Sequence, residues 1–137
     1  MSMSEQEIPP WLREQISRLQ QLQQNLQAVL MQKQQIEVES MEIDKALEEL
    51  NKIGDEDPVY KNAGPLLIKT KKSDSVKELE ERKELFKTRL LVLGKQETRI
   101  KENMKEVESK INEMIRIGQN QRGANLGPSG SNSVPSK

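Results

Sequence analysis

Val59-Tyr60-Lys61-Asn62-Ala63-Gly64-Pro65-Leu66-Leu67-Ile68-Lys69-Thr70-Lys71 is the one stretch of this chain that reads as β structure. Val59 and Tyr60 have β character, and so does the run Leu67 to Thr70. Asn62-Ala63-Gly64 between them is turn chemistry, so the stretch is expected to form one β-hairpin. Pro65 falls beside the turn, where a strand tolerates the loss of a donor. Two strands alone are marginal in water, and both edges of this hairpin would carry unpaired backbone groups. Val59, Leu66, Leu67 and Ile68 also have no core within the chain to enter. The economical solution is that hairpins from several chains pair into a shared sheet or barrel.

Outward from the hairpin, both flanks are helical. Upstream, a heptad places a at Leu12, Leu19, Leu26, Lys33, Ser40 and Leu47, and d at Gln15, Leu22, Val29, Ile36, Ile43 and Leu50. Nine of these twelve are apolar, which is a coiled-coil pattern and not a strand pattern. Pro9 and Pro10 suit the helix start, and Gly54 with Pro58 stops it. Downstream, Ser75 and Glu78 read as a capping box. Position a then holds Val76, Lys83, Leu90, Glu97, Met104 and Ile111, and d holds Leu79, Phe86, Leu93, Ile100, Val107 and Met114. Ten of these twelve are apolar.

Two helices of matched length, each roughly 60 Å long at 1.5 Å per residue, joined by a short connector, most simply pair antiparallel. The expected fold is therefore mainly α. It is an antiparallel two-helix coiled-coil hairpin with one β-hairpin at the bend, joining a shared multi-chain sheet or barrel. Its parts are a flexible N-terminus (1–8), a first helix (9–53), an assembly connector (54–74), a second helix (75–117) and a disordered tail (118–137). In this pairing Lys33 and Glu97 fall near the same height. A Lys facing a Glu in the seam would favour one register over its slips, although a lysine stem can also snorkel outward.

Composition narrows the function classes. The chain has 137 residues, only 2% of them aromatic and 32% charged, which suits long solvated helices better than a packed ball. Acidic and basic residues balance at 22 each, which offers no overall attraction to nucleic acid or anionic membrane. Cysteine and histidine are absent, which removes disulfides, the commonest general base and soft metal ligands. No Walker-type phosphate loop appears. Asp55-Glu56-Asp57 lacks ligand spacing and reads as a solvated turn. The expectation is a non-enzyme that needs no cofactor and no metal. No stretch approaches the roughly 20 apolar residues of a membrane span, and Met1 to Glu7 lacks the order of a signal peptide. Together these point to the cytoplasm.

Ile8-Pro9-Pro10, the Gln-rich first helix, Lys45 to Leu50, Val59-Tyr60-Lys61, Gly64 to Lys69 and the second coil together resemble prefoldin. Within that family the chain is similar to the beta-type subunits of archaea, because alpha-type subunits carry two hairpins and this connector has room for one. The resemblance covers about Ile8 to Ile117. It implies a hexamer of two alpha-type and four beta-type subunits, with hairpins forming a double β-barrel and six coiled-coil arms. It further implies that the arms hold non-native proteins without ATP and hand them to a group II chaperonin. The assembly residues are then Val59, Tyr60, Gly64, Leu66, Leu67, Ile68 and Lys69.

In such an architecture the arm tips are the start of the first helix and the end of the second. Trp11, Ile16, Ile115 and Ile117 lie there at e and g, beside Ile8, Leu12, Ile111 and Met114. These eight form the candidate client-binding surface, since an unfolded chain is held by burying apolar area. The plainer reading is that e and g residues merely widen the seam. Leu30, Leu91 and Val92 show that off-seam apolar residues are not confined to the tips. The alternative function is a structural or tethering coiled coil with one fixed partner, which would need neither the hairpin nor apolar tips.

Overall fold

A computed structural model describes residues 8–126, with side chains through 119. The element order is α1 (Pro10–Asn51), β1 (Val59–Ala63), β2 (Leu66–Thr70) and α2 (Lys72–Leu126). The chain divides into two compact units. One joins the start of α1 to the end of α2 (1–26 and 98–137), and the other runs from 27 to 97 and holds the β-hairpin.

α1 begins where its prolines allow. Pro10 is the first helical residue, where its missing N–H has no intrahelical partner to lose. The carbonyl of Pro9 accepts the first helical hydrogen bond, from Arg13 N at 3.0 Å. At the other end, Lys52 N and Ile53 N donate to Glu49 and Leu50, tightening the last turn. Gly54 and Asp57 then close a turn of their own. Asp57 N donates to the Gly54 carbonyl at 3.1 Å, and Gly54 N donates to Asp57 Oδ2 at 2.7 Å.

In the 27–97 unit the two helices run antiparallel. Three cross-links establish the direction: Lys33 meets Glu97, Asp44 meets Lys83, and the Ile53 carbonyl meets Lys72. As numbering rises along α1 it falls along α2. The predicted seam is the observed one. All twelve a and d residues of α1 are partly or fully buried, and so are eleven of the twelve in α2. The deepest are Val29, Ile43, Phe86 and Leu93 in one unit and Val107 in the other. A two-helix seam is too narrow to bury most of its residues completely. Lys83 is the exception; its stem leaves the seam and its ammonium reaches Asp44 Oδ1 at 2.6 Å.

Three expectations need correction. α2 starts at Lys72, not at the Ser75–Glu78 capping box, because the Lys71 carbonyl already accepts from Ser75 N at 3.0 Å. It also continues beyond Ile117 to Leu126, since Gly118 lies within the helix and does not terminate it. The rest of the predicted tail (127–137), and the first seven residues of the predicted flexible N-terminus, lie outside the described residues. Finally, the hairpin turn is Gly64-Pro65 and not Asn62-Ala63-Gly64, for Asn62 and Ala63 belong to β1.

Candidate functional site

The hairpin pairs Val59 with Thr70, Tyr60 with Lys69, Lys61 with Ile68, Asn62 with Leu67 and Ala63 with Leu66. That register leaves a two-residue loop. Gly64 takes φ +61°, which an L side chain rarely adopts, and Pro65 follows with the φ near −65° its ring imposes. A glycine first and a negative φ second suit the turn that matches strand twist. Pro65 thus sits in the loop and removes no donor from the ladder.

Opposite residues share a face of the two-stranded sheet, so the apolar side chains divide between both faces. Leu66 and Ile68 lie on one, with Val59, Ala63 and Thr70; Tyr60 and Leu67 lie on the other, with Lys69. Leu66 is 63% exposed, Leu67 68%, Ile68 44% and Tyr60 59%. Single exposed leucines are ordinary, but four large apolar residues on one small hairpin make a surface that favours association. All seven sequence-predicted assembly residues therefore lie on this hairpin, and only Val59 among them is partly buried.

The hairpin is tied to the helices by charged pairings that the sequence reading did not foresee. Lys61 Nζ on β1 donates to Glu78 Oε1 on α2 at 3.2 Å. Lys72 Nζ donates to the Ile53 carbonyl at 2.9 Å and lies 3.4 Å from Asp55 Oδ1. Asp55 and Asp57 are thus engaged with Lys72 and Gly54. Beside β1 an open groove of about 730 Å³ runs along the coil, floored by Ile43, Leu50, Val59, Leu79 and Phe86.

Further along the same unit, Lys33 Nζ donates to Glu97 Oε1 at 2.7 Å, with both side chains mostly shielded from solvent. The hydrogen bond to Glu97 holds the Lys33 ammonium above its ordinary pKa; partial desolvation opposes this, and the charges of Glu97 and Glu37 reinforce it. Lys83 is raised in the same way, first by its hydrogen bond to Asp44.

The eight predicted client-binding residues all fall in the unit formed by 1–26 and 98–137. Ile8, Trp11, Leu12, Ile16, Ile111 and Met114 are partly buried there, whereas Ile115 and Ile117 are exposed. Arg13 Nη2 donates to the Ile8 carbonyl at 3.1 Å, holding the chain two residues ahead of the helix. Off-seam apolar exposure is not unique to this unit. Leu30, Met31, Val38, Met41, Leu85, Leu91 and Val92 are exposed in the other, and sequence reading had flagged only Leu30, Leu91 and Val92. Among the described residues no helix is long and apolar enough to cross a membrane.

Comparison with known proteins agrees with this geometry. A family model described as prefoldin subunit matches residues 13–117. The chain is 43% identical over 109 residues to prefoldin subunit beta of Archaeoglobus fulgidus, covering 80% of this chain and 94% of that one. It is 42% identical over 113 residues to the same subunit of Caldivirga maquilingensis, covering 82% and 93%. Among solved structures, the prefoldin beta subunit from Thermococcus strain KS-1 superposes with a TM-score of 0.72 at 39% identity, covering 81% of this chain and 97% of that one.

Proposed function

The chain belongs to the prefoldin subunit family, and from that premise we propose that it is a beta-type subunit of an ATP-independent chaperone. Its hairpin joins those of further copies and of an alpha-type prefoldin subunit in a β-barrel hub, with two alpha-type and four beta-type chains. The paired helices serve as arms. Non-native proteins are held at the arm tips by Ile8, Trp11, Leu12, Ile16, Ile111, Met114, Ile115 and Ile117, and are passed on to a group II chaperonin in the cytoplasm. The observation that carries this reading is the one hairpin among the described residues, with apolar side chains uncovered on both faces. A sheet of two strands gains stability by recruiting more strands, and buried apolar area supplies the driving force.

Client capture draws its support from the unit that joins the start of α1 to the end of α2. Ile115 and Ile117 are exposed, and Ile16 and Trp11 lie off the seam without being fully buried. Aliphatic side chains bind an unfolded segment without a shaped pocket, which suits varied clients. The test is the triple variant Ile16→Ser, Ile115→Ser, Ile117→Ser, which leaves every a and d residue in place. Assembly with an alpha-type subunit is expected to persist while capture of a denatured client falls. Undiminished capture by the assembled variant would remove these residues from the site.

A further inference from the structure

The hairpin has two roots, where the chain leaves α1 and where it enters α2, and one side chain joins them. Lys72 is the first residue of α2, two positions beyond the end of β2. Its ammonium donates to the carbonyl of Ile53, two positions beyond the end of α1. It also faces Asp55 Oδ1. The Lys72 side chain is 18% exposed while that of Asp55 is 92% exposed, so water screens the ion pair and the carbonyl bond is the firmer anchor. Beyond α1's tightened last turn, the Ile53 carbonyl accepts this charged donor, and charged donors make the stronger hydrogen bonds.

The rest of the connector depends on such polar ties. Residues 54–57 form a turn locked by the two Gly54–Asp57 bonds, and Lys61 on β1 reaches Glu78 on α2. The large apolar side chains of the hairpin that would otherwise seat it, Tyr60, Leu66, Leu67 and Ile68, are exposed. Its direction is therefore set at its roots more than by a core.

We propose that Lys72 is a positioning residue for assembly, whose clasp on Ile53 and Asp55 fixes the direction in which the hairpin leaves the coil. The role rests on the reading of the hairpin as the assembly segment. A hairpin already held in its docking direction loses less freedom on association, and so associates more tightly for the same buried surface. Neighbouring Lys69 and Lys71 are exposed and do not join the roots.

The chain has no cysteine, so paired spin labels at Asn62→Cys and Glu81→Cys report the hairpin-to-coil distance in the full chain without other sites reacting. Lys72→Met keeps the aliphatic stem and removes the donor; Lys72→Arg restores a cation. The expected result is a narrow distance distribution in the parent, a broad one in Lys72→Met, and a narrow one again in Lys72→Arg. The dissociation constant for a prefoldin alpha-type subunit, measured by native mass spectrometry, is expected to rise about tenfold in Lys72→Met. Helical content measured by circular dichroism stays unchanged. A narrow distribution in Lys72→Met overturns the clasp, and a broad one with undiminished assembly overturns its role. A parent chain that fails to assemble overturns the assembly reading and the role together, while the distance widths still decide whether the clasp exists.

Discussion

Replacing Leu67 by Ala should weaken assembly and leave the isolated chain's stability alone. Leu67 keeps 68% of its surface exposed in the free subunit, so little of its burial has been spent on the subunit's own fold. Fully burying a leucine is worth about 1.5–3 kcal/mol; covering the exposed two thirds in the assembly is then worth about 1–2 kcal/mol. At 1.4 kcal/mol per factor of ten, that is a weakening of roughly 5- to 30-fold for each interface the residue enters. The assay is sedimentation velocity across a dilution series, with the variant mixed with an alpha-type prefoldin subunit. The isolated variant should unfold within about 0.5 kcal/mol of the parent, as surface substitutions do. Equal dissociation constants for variant and parent would show that the strand edges alone drive association. A large loss of stability in the isolated chain would show that Leu67 packs within its own subunit.

Other consequences follow from the seam and the turn. Phe86, 6% exposed at a d position, should cost about 3 kcal/mol on truncation to Ala, read from denaturant unfolding of the subunit. Gly64→Ala should destabilise the hairpin by about 1–2 kcal/mol because its φ is +61°. Gly94→Ala should instead stabilise the helix by about 0.5–1 kcal/mol, since nothing lies within 4 Å of the added Cβ; hydrogen exchange of the two segments separates the signs. Lys33 has its folded pKa raised above 10.5 by Glu97. Its stabilising contribution should therefore be complete below the unfolded value and lost as pH rises through the higher folded one. An alkaline unfolding titration should show that loss in the parent and less of it in Lys33→Met, whereas identical profiles would deny the pair any weight.

The seam was legible because the heptad period is strict, and burial at a and d follows wherever two such helices pair. Even the polar positions could be read, since antiparallel pairing brings Lys33 and Glu97 to one height, and they meet at 2.7 Å. Lys83 escaped the rule because an ammonium on a long stem leaves the seam when Asp44 stands within reach. The turn was misplaced because Asn62-Ala63-Gly64 has ordinary turn composition, whereas a two-residue loop needs its positive φ at the first position and gains from a proline at the second. Ser75 was misread as a cap because α2 begins directly after β2, on the Lys71 carbonyl. Lys72 was hidden inside the run Lys69-Thr70-Lys71-Lys72, where the periodicity does not distinguish the lysine that turns inward from those facing water.

The most direct test of the account is light scattering as a denatured client is diluted into this chain assembled with an alpha-type prefoldin subunit, without ATP. Suppressed scattering is expected at near-stoichiometric amounts of the assembled complex. Scattering unchanged by a complex of the correct mass would contradict it, and would leave a coiled coil that tethers a fixed partner.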